Sequence, residues 1–146
     1  MPRRTGPRTG GVQATMNAFR DEIASVAAEK LEGRLKDISR FATSVSPVDT
    51  GAYVTSFSIG RAGFGGGRMK TSDNKPRNQN PESMKAEGYG LLLSDIESMD
   101  VKSMVESGNV KFTLRNRSTH ARDVEDGENW KKDGYHVFAK IRNGFG

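Results

Sequence analysis

The segment Ser46-Pro47-Val48-Asp49-Thr50-Gly51 constrains this chain more than any other, because it joins a long helical pattern to an extended one through a turn. Pro47 cannot continue a helix and pushes Ser46 towards extended geometry, so the preceding helix has to stop there. Asp49 can accept a local backbone hydrogen bond, and Gly51 can take a positive φ where the chain reverses. Beyond it, Tyr53, Thr55, Phe57 and Ile59 alternate with Val54, Ser56 and Ser58, which predicts a strand over residues 52–59.

Before the joint, Met16, Phe19, Ile23, Val26, Ala27, Leu31, Leu35, Ile38, Phe41 and Val45 recur at spacings of three and four, the helical period. Charged residues between them form a solvated face whose local ion pairs contribute only ~0.3 kcal/mol each. The spacing predicts a helix over residues 12–44, on the order of 45 Å long at the usual rise per residue. That is more helix than the core of one small domain needs, so part of the apolar stripe is expected to pack against another subunit.

Residues 60–81 bury almost nothing by composition and read as a long flexible loop. Its glycines lack the lysine and hydroxyl ending of a phosphate loop and the spacing of a dinucleotide site. Residues 82–99 return to a helical period through Met84, Leu91, Leu92, Ile96 and Met99, interrupted by Gly88 and Gly90. Val110, Phe112 and Leu114 alternate with polar neighbours, as do Tyr135, Val137, Ala139 and Ile141, which predicts two further strands. Between them, residues 119–127 read as a short helical turn closed by Gly127. The expected fold class is α+β: a long N-terminal helix and a second helix on a small, mainly antiparallel sheet, with a flexible loop. The expected organisation is a basic flexible arm at 1–11 followed by a single domain at 12–146.

At 146 residues the chain suits one core. It has no cysteine, which excludes disulfides, and no run apolar enough to span a bilayer, so no membrane partner is expected. The net charge of +5 is unevenly spread. Arg3, Arg4 and Arg8 give residues 1–11 a charge of +3, and residues 60–81 carry +4, so the remainder is at −2. Basic groups are therefore expected on arms and loops, with a neutral to acidic body. His120, Asp123 and Glu125 mix imidazole with carboxylates, but Glu125 falls off the helical face that His120 and Asp123 can share, and no second cluster completes a metal site or a catalytic set. The residues thus call for neither cofactor nor metal. Trp130, in a polar connection, is an interface anchor candidate together with Phe64, Arg68 and the N-terminal arginines.

The joint Pro47-Val48-Asp49-Thr50-Gly51 and the later turn His120-Ala121-Arg122-Asp123-Val124-Glu125-Asp126-Gly127, in that order, resemble the neck and tail-completion proteins of tailed bacteriophages. The usual pattern there is a Pro-Val-Asp-Thr-Gly turn and, about a strand, helix and strand later, an aromatic-Ala-x-x-Val-Glu-x-Gly turn, with His120 here in the aromatic place and Ala52 where leucine is common. A C-terminal helix is usual in that family, whereas the alternation of residues 135–142 predicts a strand. The resemblance implies a non-enzymatic virion protein that forms a ring of six subunits, or twelve, in the neck. It would be assembled in the host bacterial cytoplasm, contact portal, adaptor and tail proteins, and let the genome pass without binding it specifically. A basic nucleic-acid-binding protein that uses the N-terminal arginines and the loop is the alternative reading.

Overall fold

The computed structural model describes residues 5–65, 67–68, 79–127 and 133–145, with side chains from Val12 onward. The chain is an α+β assembly of a long helix, four shorter helices and a two-stranded antiparallel sheet among these residues. Helix α1 spans Thr5–Ser44, 40 residues and so about 60 Å. It begins earlier than the expected start at residue 12: residues 5–11 are helical, and Pro7 is tolerated because it falls in the first turn, where its missing N–H would have no partner. Arg3 and Arg4 lie outside the described residues, as does the side chain of Arg8.

The helix ends where the joint requires. The Ser46 hydroxyl donates to Ala42 O at 2.6 Å, and the chain then turns through Pro47 to Gly51. Residues 52–55 do not enter a strand, contrary to their alternation. Thr55 N–H and its hydroxyl both donate to Gly51 O (3.1 and 2.6 Å), and the Ser56 hydroxyl donates to Ala52 O at 2.6 Å. These short polar side chains offer the backbone a local turn in place of a ladder, which delays β1 to Phe57–Arg61. Residues 51–60 are all buried, so the alternation does not mark an exposed face.

β1 pairs antiparallel with β2 (Phe112–Asn116) in the register Phe57↔Asn116, Ile59↔Leu114, Arg61↔Phe112. Between the strands come α2 (Pro81–Ser98) and α3 (Val101–Ser107). Asn80 caps α2 by accepting from Ser83 N–H at 3.1 Å, with Pro81 at the first position. Gly88 does not interrupt this helix: a Cβ there would collide with the carbonyl of Val54, so glycine lets α2 lie directly on the joint. Asp100 caps α3 through Ser103 N–H and Oγ (3.1 and 2.6 Å), and these bonds hold its carboxyl below the ordinary carboxylate range.

After β2 come α4 (Ala121–Asp126), ended by Gly127 at φ 73°, and α5 (Val137–Phe145). Residues 135–142 are therefore not the third strand that their alternation predicts. Val137 and Ile141, four apart, are buried, and Phe138 and Phe145 pack against the core, a helical set that alternation splits between two faces. The chain thus has a C-terminal helix. The core lies where Tyr53, Phe57, Ile59, Leu92, Ile96, Val124, Val137 and Ile141 meet Ala28, Leu35 and Ala42 of α1.

Candidate functional site

Two sequence motifs some seventy residues apart come together around one buried phenol. At the first, Gly51 has φ 87°, and a Cβ there would run into the Met84 side chain of α2. The joint is closed by Gln79 N–H donating to Asp49 O at 2.7 Å and by Ala52 N–H donating to Thr50 Oγ1 at 3.2 Å. Thr50 thus supplies one bond across this turn, and the Asp49 carbonyl holds the chain that leads into α2. Pro47 and Val48 are half-buried beside it. Tyr53, two residues past Gly51, is buried with its ring at 5.3 Å from that of Phe57.

The second motif supplies the other wall. Asn116 Nδ2 donates to Tyr53 O at 2.8 Å. Val124 is buried in the core, and Ala121 packs against it. Glu125 has a task that the sequence did not disclose: its carboxylate accepts from Phe138 N–H (2.9 Å) and Ala139 N–H (3.2 Å), capping the first turn of α5. An anion at a helix N-terminus faces the positive end of the peptide dipoles. Tyr135 N–H donates to Val124 O at 2.6 Å and His136 N–H to Glu125 O at 3.1 Å, while Gly134 lies so close to the backbone of Glu125 that no side chain fits there. Burial, and secondarily the charge of Glu125, push the Tyr53 hydroxyl well above its ordinary pKa of 10.0, and that hydroxyl has no hydrogen-bond partner among the described residues.

His120 is half-exposed with its Nδ1 at 4.0 Å from Asp123 Oδ2, a loose pairing at the head of α4. Glu125 points elsewhere, and no group of three or more metal-ligating side chains occurs among the described residues. The motif residues thus form a scaffold in which each turn fixes the helix after it.

The predicted contact residues fall in different places. Trp130 lies outside the described residues, as do residue 66 and residues 69–78 of the predicted loop. The described part of that loop is folded onto the body. Phe64 sits on Gly60 under the Arg115 guanidinium, which is 4.8 Å above its ring. Arg68 is committed inside the chain rather than offered to a neighbour. It forms a two-pronged ion pair with Asp95 (Nη1–Oδ2 2.9 Å) and donates to Phe57 O at 2.9 Å, while Asp95 Oδ2 accepts from Ile59 N–H at 3.1 Å. Phe57 and Ile59 are non-hydrogen-bonded partners in the β1–β2 ladder, so these groups belong to the outer edge of β1. The ion pair closes that edge against another strand. Beside it is an open cavity of about 500 Å³ lined by Arg61, Phe64, Arg68, Asp95 and Asp100.

Among the described residues, most of the exposed large apolar side chains are on α1. Ala24, Ala28, Leu35 and Ala42 face the core and are buried. Val12, Met16, Phe19, Ile23 and Val26 lie on a face rotated about 120° from them and are exposed, Phe19 at 62% and Ile23 at 53%. The single stripe expected from sequence is therefore two faces. Further along the second face, Phe41 meets Phe145 of α5 at 5.6 Å between rings, and the Arg34 guanidinium stacks on Phe145 at 4.7 Å. The chain's own α5 covers this face at its C-terminal half, and nothing among the described residues covers the rest.

The basic groups also differ from expectation. Lys111, Arg115 and Arg117 share one face of the β2 strand line, so positive charge is carried by a rigid element as well as by arms and loops. Comparison with family models, with curated proteins and with solved structures finds no match for the chain.

Proposed function

We propose that this chain is a structural virion protein of a tailed bacteriophage, a ring component of the neck that joins the DNA-filled head to the tail. The observation that carries the reading is the second apolar face of α1: five large side chains are exposed on a helix whose core-facing side is already satisfied. A contiguous exposed apolar face marks an interaction surface. The two turns that resemble the neck-protein pattern support the assignment, because both perform stereochemical work: Gly51 reverses the chain at positive φ, and Glu125 caps α5. In this reading the chain does no catalysis, its partners are copies of itself and the portal, adaptor and tail proteins, and the genome passes through the ring. Electron microscopy of the purified protein and of particles lacking it tests the proposal. Closed rings, and heads that fail to join tails until the protein is added back, are expected; normal joining without it refutes the proposal.

One observation favours a second reading. Lys111, Arg115 and Arg117 form a cationic row that can follow a phosphate backbone. A nucleic-acid-binding protein then shows DNA affinity that falls steeply with salt and is lost on replacing these three residues, with no defect in joining heads to tails.

A further inference from the structure

We infer that the exposed face of α1 pairs with the same face of α1 in other copies of this chain, as a short parallel coiled coil. The inference rests on the reading of the chain as an assembly protein and names the partner of that surface. The residues Val12, Met16, Phe19, Ile23 and Val26 are separated by four, three, four and three positions, the alternation of the two seam positions of a heptad repeat. The next seam position is Lys30, which ends the seam after about two heptads.

Two observations identify the occupant as a second copy, and a third sets its orientation. Outside this face, the exposed large apolar side chains among the described residues are Val110 and Tyr135, far too little to make a complementary patch. The matching surface is the seam itself. The seam also continues a face that already packs against a helix, since α5 covers Arg34 and Phe41 of the same line. Charge then selects the orientation. An antiparallel pair centred on Phe19 brings Arg20 against Arg20 of the other copy, whereas a parallel pair sets Arg20 beside Thr15 and Glu22 beside Ala27. A parallel pair of this kind has its two-fold axis along the seam, so the contact joins copies two at a time and is separate from the contacts that close a ring. A seam of two heptads is marginal by itself, so pairing is expected to tighten when subunits are gathered by other contacts.

The absence of cysteine makes the test direct. Val12→Cys, Val26→Cys and the off-seam control Ala18→Cys all alter exposed positions, so folding is not at stake, and circular dichroism verifies it. Under mild oxidation of the full chain, disulfide-linked dimers are expected from Val12→Cys alone and from Val26→Cys alone, at least tenfold faster than from Ala18→Cys. A mixture of Val12→Cys and Val26→Cys that links only as the mixed pair overturns the parallel arrangement. Rates equal to the control, in a protein that electron microscopy shows as rings, overturn the inference and leave the ring reading intact, with α1 then covered by a different protein. Seam crosslinks without rings or head-joining defects keep the inference and refute the neck assignment. Phe19→Glu is expected to shift the sedimenting species towards monomer, and unchanged sedimentation counts against the seam.

Discussion

Gly51 and His120 separate conformation from chemistry at the scale of one residue. Gly51 stands at φ 87° against Met84, so a β-branched side chain there meets both a disfavoured backbone region and a neighbour that has to move. Gly51→Val is expected to cost about 1–3 kcal/mol in urea denaturation. His120→Ala, at a half-exposed position with a loose carboxylate contact, is expected to change stability by less than about 0.5 kcal/mol. Tyr53 gives a pH signature. Its hydroxyl is buried, lacks a partner among the described residues and holds its proton more tightly folded than unfolded. The stability linked to Tyr53 is therefore fully present below the unfolded value near pH 10 and is lost as pH rises above it, at up to about 1.4 kcal/mol per pH unit. Tyr53→Phe should be neutral to stabilising at pH 7 and should flatten the alkaline limb of a stability profile; an unchanged limb refutes this account.

At the scale of elements, the C-terminal segment shows how one contact decides a conformation. The run from Tyr135 to Ile141 satisfies the alternation of a strand, yet a strand there leaves Phe138 facing away from the core. Glu125, two elements earlier, accepts the N–H groups of Phe138 and Ala139 and so favours the helix. Glu125→Ala should cost about 1 kcal/mol and speed hydrogen exchange of the α5 amides more than those of α2. Uniform loss of protection across both helices argues against a local cap. The 52–55 turn follows the same logic, with hydroxyls of Thr55 and Ser56 taking carbonyls that a ladder leaves free. Neither contact has a sequence signal at short range in the first case, or a unique one in the second.

At the scale of the whole molecule, charge and assembly are separable. If the proposed ring passes DNA, deleting residues 1–11 removes Arg3, Arg4 and Arg8 together with the first turns of α1, and should impair the joining of heads to tails. Any DNA affinity should persist through Lys111, Arg115 and Arg117, with the salt slope reduced by about 3. A filter-binding series in salt checks this, and a truncated protein that joins heads and tails normally refutes the role of the N-terminal segment. Replacing the three strand residues with glutamine tests the opposite assignment, because head joining should survive it.

What this sequence determined by itself is what depends on neighbours close along the chain: the stop of α1, the reversal at Gly51, the glycine stop at Gly127, and the α+β class. Period, proline and glycine act over a few residues, and those effects are legible without a partner. The tertiary structure alone decided which apolar residues of α1 are buried, because a stripe of period near 3.6 does not say where the body lies: α2 and α3 pack against α1, and α5 covers only the C-terminal half of its second face, leaving the rest bare. It also decided the state of residues 137–145 and the inward commitment of Arg68, since Glu125 and Asp95 are distant in sequence and meet their partners only when the chain has folded.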